Sequence, residues 1–228
     1  MTALWSAEQT IQRITEIRAS LPPTVTLIAV TKKLPVEVIR TAYAAGVRDF
    51  GESRVQEAIA KQAELSDLSD ITWHLIGHLQ ANKARKALEH FQWIHSVDSL
   101  KLAERLNQIA AEIGAQPNCC LQVKMVPDPP KTGFTLDELW QALPTLGQLQ
   151  QIKIAGLMTI PPQDTSSESA REIFQQAREL SDKINQAGVI QPPMTTLSMG
   201  MSGDYRDAIA SGSTAVRLGT ILFGPRPN

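Results

Sequence analysis

The sequence predicts a single α/β domain over residues 1–228, a (β/α)8 TIM barrel with one extra helix at its N-terminus. Three observations point there. Short apolar segments alternate with amphipathic ones along the whole chain. The strand-like runs are apolar on successive residues, as strands of a parallel sheet covered on both faces are. A chain of 228 residues sits near the lower range of the roughly 250 residues such barrels occupy as one unit, and no low-complexity linker divides it. An open doubly wound sheet shares these features, but eight strands favour closure.

Ser6-Ala7-Glu8-Gln9 has the spacing of a capping box, and Ile11, Ile14 and Ile17 follow at helical intervals. The first strand is the β-branched run Val25 to Val30, and Pro35 and Gly46 frame the helix behind it. The pattern repeats as Asp49 to Gly51 then Val55 to Leu65, Trp73 to Gly77 then Asn82 to Phe91, and Trp93 to Val97 then Leu100 to Ile113. Cys119 to Met125 precedes a helix opened by the Thr135-Leu136-Asp137-Glu138 capping box. Ile152 to Ile160 precedes a long helix with Phe174, Ala177, Leu180 and Ile184 on one face. Thr196 to Met199, a short helix Tyr205 to Ala210 and a last strand Ala215 to Gly219 complete the count. The Pro-rich patches Pro127 to Pro130 and Pro161 to Pro162 read as loops at strand ends.

With a formal net charge of −1 and no run of like charge, nothing suggests a nucleic-acid groove or an anionic membrane as partner. Met1 to Thr10 lacks the basic-then-apolar order of a signal peptide, and no apolar run approaches the roughly 20 residues of a membrane-spanning helix. A cytoplasmic protein is expected. Cys119 and Cys120 are adjacent in a strand, so their side chains point to opposite faces and read as free thiols.

Barrel sites form at the C-terminal ends of strands, which puts Lys32 in view. A lysine desolvated at a barrel mouth can become a neutral amine that attacks an aldehyde, although Lys32-Lys33 also reads as two solvated lysines opening a loop. Phosphate sites in barrels often use the loops after strands seven and eight. Ser198-Met199-Gly200-Met201-Ser202-Gly203-Asp204 and Arg217-Leu218-Gly219-Thr220 supply glycines, hydroxyls and a cation there. Plain turn chemistry is the alternative for either run alone.

Together, Ala29-Val30-Thr31-Lys32, Phe50-Gly51-Glu52-Ser53-Arg54-Val55-Gln56-Glu57, Trp73-His74-Leu75-Ile76-Gly77, Leu79-Gln80-Ala81-Asn82-Lys83, Gly156-Leu157-Met158, Leu197-Ser198-Met199-Gly200-Met201-Ser202 and Val216-Arg217-Leu218-Gly219 resemble the pyridoxal-phosphate homeostasis protein family, in order and from about Val25 onward. That family is related in fold to the N-terminal barrel of alanine racemase. The resemblance implies pyridoxal 5′-phosphate as cofactor, an imine on Lys32, a phosphate held by Ser202, Gly219 and Thr220, and a pyridine nitrogen facing Arg217. It further implies cofactor-binding roles for Met201, Ser198, Gly203, His74 and Met158. Ser53 stands where the family often has Asn, which leaves any side-chain amide contact from that loop in question.

An arginine at the pyridine nitrogen can only donate, leaving the ring unprotonated and a weaker electron sink. Racemisation would need a second base; Tyr43 and Tyr205 are the only tyrosines, and neither is an evident one. The chain ends at Asn228, straight after the last strand, without the β domain that the racemase pattern needs. The expected function is therefore homeostasis of the cofactor and of amino and keto acids, by carriage and delivery to apo-enzymes, without established turnover. Transient contact with apo-enzymes or regulatory proteins and a monomeric state go with it. The alternative is a lysine-imine enzyme, racemase-like on amino acids or aldolase-like on a sugar phosphate. Metal binding by His74 and His78 is disfavoured because a strand with Gly77 between them does not present them as a helical pair. His74 reads as a rim residue, His78 as surface, and His90 and His95 as incidental. Glu52 either orients Lys32 or its loop, or has a structural role bonding loop amides.

Overall fold

The computed structural model describes residues 4–128 and 130–225; Met1–Ala3 and Arg226–Asn228, the outer ends of the expected domain, and Pro129 of the Pro-rich loop lie outside the described residues. Eight parallel strands close in sequence order: β1 (Thr26–Val30), β2 (Asp49–Glu52), β3 (Thr72–Leu75), β4 (Trp93–Val97), β5 (Asn118–Gln122), β6 (Lys153–Met158), β7 (Thr196–Ser198) and β8 (Ala215–Leu218). Pairing of β8 with β1 shuts the barrel. The helices are α1 (Ala7–Ser20), α2 (Val36–Ala44), α3 (Val55–Glu64), α4 (Ala84–His90), α5 (Leu100–Ile113), α6 (Leu136–Leu146), α7 (Ser167–Ala187), α8 (Tyr205–Ala210) and α9 (Thr220–Phe223).

Successive strand residues point to opposite faces, which sorts them into two sets. Leu27, Ala29, Phe50, Trp73, Leu75, Ile94, Leu121, Leu157, Leu197, Val216 and Leu218 join helix residues in one buried apolar cluster between barrel and helices. Their neighbours Ile28, Gly51, His74, His95, Ser198 and Arg217 turn inward, so the barrel interior is markedly polar.

Both predicted capping boxes form, at Ser6 with Gln9 and at Thr135 with Glu138. In α1, Ile14 and Ile17 are buried while Ile11 stays exposed. The four-residue α9 was not anticipated, and α1 packs against both it and α2. The N-terminal helix thus completes the outer ring beside β1, a place α9 is too short to cover.

Strand β3 ends at Leu75 rather than Gly77, and β5 at Gln122 rather than Met125, with Val123 kept as an isolated bridge to Phe134. The helix expected from Asn82 opens as a 3-10 turn, Ala81–Lys83, before α4. Among the described residues no helix is long and apolar enough to cross a membrane.

Gly156 is required where β6 meets β7: a Cβ there would lie 1.8 Å from the Thr196 carbonyl oxygen. Backbone in a closed barrel has little room to yield, so Gly156→Ala is expected to cost about 3 kcal/mol or more. Urea unfolding of the purified variant checks this; an unchanged midpoint would contradict it.

Candidate functional site

At the C-terminal ends of the strands lies a cleft of about 280 Å³, lined by Val30, Lys32, Ser53, Ile76, Gly77, Ile160, Met201, Ser202, Gly203, Arg217, Gly219 and Thr220. Of the residues singled out from sequence, Lys32, Met201, Ser202, Gly203, Arg217, Gly219 and Thr220 thus meet in one place. Ser198, His74 and Met158 do not line it.

Lys32 is half-buried directly after β1, and the loop that carries it is braced from outside the barrel. Glu52, fully buried at the end of β2, accepts the Thr31 hydroxyl at 2.7 Å and the Lys61 ammonium at 2.8 Å. Lys61, itself buried on α3, donates further to the Thr31 carbonyl at 2.8 Å and to Glu57 at 2.7 Å. Glu57 in turn accepts the backbone N–H of Lys33, which sits in the left-handed region at φ 60°. That conformation is uncommon for a residue with a Cβ and persists when its surroundings hold it. Glu52 therefore acts on the backbone beside Lys32 through Thr31 and Lys61, bonding a hydroxyl and an ammonium rather than the loop amides expected of it. Burial pushes the Glu52 carboxyl above its ordinary range, against the pull of Lys61 and Thr31. Burial also works to raise Glu57, but Lys61 and the Lys33 N–H outweigh it and leave its pKa lowered.

Across the cleft the loops after β7 and β8 converge. The N–H groups of Gly219 and Ile221 both donate to the Ser202 hydroxyl oxygen, each at 3.3 Å. These are long bonds to a neutral acceptor, and an anionic oxygen attracts such donors more strongly and more closely. A Cβ on Gly203 would meet nothing within 4 Å, so space lies beside them. On another wall Gly77 lies so close to the loop after β2 that a Cβ would fall 2.3 Å from the Ser53 carbonyl oxygen.

Arg217 is the buried floor of the cleft. Its Nη1 donates to the Ser198 carbonyl at 2.6 Å and hydroxyl at 2.7 Å, and its Nη2 to the Thr159 carbonyl at 3.2 Å. Burial pulls its pKa down to about 10, which leaves it cationic at neutral pH. Ser198 is thus the support beneath Arg217 and not a wall of the cleft. Met158 is buried at the end of β6, away from the lining.

The expectation of a rim position for His74 is corrected. It is buried inside the barrel, with Nε2 at 2.9 Å from Asp49 Oδ1 and Nδ1 at 2.9 Å from His95 Nε2. The inward phase of β3, between outward-facing Trp73 and Leu75, puts it there. His95 is not incidental: its Nδ1 lies 2.8 Å from the Ser198 hydroxyl. Burial lowers the pKa of both imidazoles, most strongly for His95, and so favours their neutral forms, with Asp49 pulling the other way on His74. A second cavity of about 250 Å³, lined among others by Thr26, Asp49, His74, His95 and Thr214, opens at the N-terminal ends of the strands.

The remaining candidates lie elsewhere. His78 is exposed and faces Asp98, so it shares no site with His74. Cys119 and Cys120 are free and buried, and burial pushes both thiols up, Cys120 to about 12, which leaves them unreactive. The Tyr43 hydroxyl donates to Asp70 and Tyr205 is buried in α8; neither lines the cleft.

A family model, the N-terminal domain of alanine racemase, matches residues 6–227. A pyridoxal phosphate homeostasis protein of Synechocystis is 51% identical over 211 residues, covering 92% of this chain and 96% of that protein. The chain belongs to the pyridoxal phosphate homeostasis protein family. A solved family member, PipY of Synechococcus elongatus PCC7942 with PLP bound, is 54% identical with a TM-score of 0.90, covering 94% of this chain and all (100%) of that one. Alanine racemase of Clostridium difficile shares the fold at a TM-score of 0.76 and 20% identity, and this chain covers 60% of it.

Proposed function

We propose that this chain binds pyridoxal 5′-phosphate in the cleft and serves intracellular homeostasis of the cofactor, holding it and delivering it to apo-enzymes without a turnover of its own. The observation that carries this is the convergence of Lys32, the paired amides on Ser202 and the buried Arg217 around one cleft. When bound, the cofactor supplies an aldehyde that condenses with a primary amine and a ring whose electron-withdrawing power depends on its nitrogen.

The protein's groups fit that molecule. Lys32 provides the amine at the mouth. Ser202, Gly203, Gly219 and Thr220 provide hydroxyls and amides for a phosphate, and Arg217 provides a fixed donor for the ring nitrogen. A guanidinium that stays charged cannot accept a proton from that nitrogen or give one up to it readily, so the ring is kept a weak electron sink. Met201, Gly203 and Thr220 are exposed, so the phosphate side is open to solvent and to a receiving protein. A racemase-like reaction needs a base on the far face of the ring, and neither Tyr43 nor Tyr205 is among the residues that line the cleft. We place this role in the cytoplasm, on a monomer composed of one domain, with apo-enzymes or regulatory proteins as transient partners.

The test is to load the protein, mix it with an apo-enzyme that needs the cofactor, and follow recovered activity. Recovery faster than with the same concentration of free cofactor supports delivery; recovery no faster than release into solvent counts against it. Ser202→Ala is expected to weaken cofactor binding roughly tenfold, since the amides lose their anchor and the phosphate a hydroxyl. Fluorescence titration with the fold checked by circular dichroism measures this, and an unchanged dissociation constant would remove Ser202 from the site.

A further inference from the structure

The polar chain inside the barrel runs from Arg217 to Asp49, and with Asp49 as a carboxylate and both imidazoles neutral its hydrogens have one arrangement. Arg217 has no acceptor, so the Ser198 hydroxyl must accept from it at 2.7 Å. That oxygen has a second lone pair, so at the 2.8 Å contact either the Ser198 proton points to an accepting His95 Nδ1 or an Nδ1–H points to the oxygen. Asp49 decides between them: a carboxylate only accepts, so a neutral His74 carries its proton on Nε2 and donates to Oδ1 at 2.9 Å, its Nδ1 accepts from His95 Nε2–H at 2.9 Å, and His95 Nδ1 accepts from Ser198.

A doubly protonated His95 would leave the Ser198 hydroxyl without an acceptor, and neutral imidazoles are what burial favours. Trp93 fixes the ring planes, stacked on His74 with centroids 5.7 Å apart and tilted against His95 at 5.6 Å.

We propose that Asp49, His74, His95 and Ser198 form a one-way hydrogen-bond relay that orients Arg217, making them positioning residues for the cofactor's ring nitrogen. The proposal rests on the reading of the cleft as a pyridoxal phosphate site. With the relay intact, Nη1 is committed to the Ser198 carbonyl and hydroxyl, and the rest of the guanidinium is held where Arg217 lines the cleft. The far end is Asp49, whose side chain is 31% exposed at the lower cavity, so a charge at the bottom of the barrel selects the tautomers that hold a cation at its top.

The experiment has two arms on the full chain. Imidazole ¹⁵N spectra of the unloaded protein, assigned with His74→Phe and His95→Phe, report the tautomers; both residues are expected as neutral Nε2–H forms, and an Nδ1–H form at either overturns the relay. In the second arm His95→Phe and Asp49→Asn are loaded with pyridoxal phosphate. A displaced visible band and release at least about tenfold faster are expected for His95→Phe, with a smaller displacement for Asp49→Asn. A merely structural role would lower thermal stability and leave the band in place, and that outcome overturns the proposal. If His95→Phe does not fold, the tautomers of the unmodified protein decide. Failure of the unmodified protein to take up pyridoxal phosphate refutes the reading of the cleft, while the first arm still judges the relay.

Discussion

Lys32→Ala will hold pyridoxal phosphate only noncovalently and at least about 100-fold more weakly, a loss of about 3 kcal/mol. Lys32 lines the cleft with Ser202, Arg217, Gly219 and Thr220, so the substitution removes the amine and leaves the phosphate and ring-nitrogen contacts in place. Residual binding is therefore expected, and borohydride should trap none of it on the protein. Equilibrium dialysis followed by intact-mass measurement after reduction checks both parts. A Lys32→Ala protein that still gains a reduced pyridoxyl mass would show that another lysine is the attachment point, with neighbouring Lys33 the first to map.

Lys61→Met should be the most damaging change outside the cleft. It removes the cation from Glu52, which is fully buried, accepts from Thr31 and Lys61 through Oε1, and has no partner for Oε2 among the described residues. Breaking a buried pair by deleting one member leaves an uncompensated charge and costs about 3–5 kcal/mol, a large part of a stability of about 5–15 kcal/mol. The pH dependence has a definite sign. Glu52 has a raised folded-state pKa, so the folded protein binds its proton more tightly than the unfolded chain does. Its contribution to stability is present below the unfolded value and is lost as pH rises through the folded one. Removing Lys61 raises that folded value further, so the variant's deficit should be greatest near pH 7.5 and shrink toward pH 5. Urea unfolding of both proteins at the two pH values measures this; a deficit that is small at pH 7.5, or grows on acidification, would contradict the account. Because Lys61 also bonds the Thr31 carbonyl and Glu57, the loop that carries Lys32 should loosen as well, weakening cofactor uptake in protein that remains folded.

What the sequence made legible follows from distance along the chain. Each strand and helix is a local pattern, and Lys32, Ser202, Gly219 and Thr220 stood out because barrels place their chemistry just past strand ends, whereas Arg217 lies within β8 and points into the barrel. The internal relay was not visible, since His74 meets His95 across 21 residues and His95 meets Ser198 across 103. One signal was available: His74 and His95 both fall on the inward phase of their strands, beside outward-facing Trp73 and Ile94. Two imidazoles sharing one barrel interior must find partners there. Lys61 escaped notice for a different reason, because a lysine on an amphipathic helix reads as surface until a buried carboxylate is known to face it. The short α9 lacks the length for a periodic pattern.

The most direct measurement is the visible absorption spectrum of the purified protein, loaded with pyridoxal phosphate, before and after borohydride, followed by peptide mass mapping. The account predicts a band that bleaches on reduction and a pyridoxyl group on Lys32. A protein that stays colourless with added cofactor, or that carries the reduced group on another residue, would contradict it.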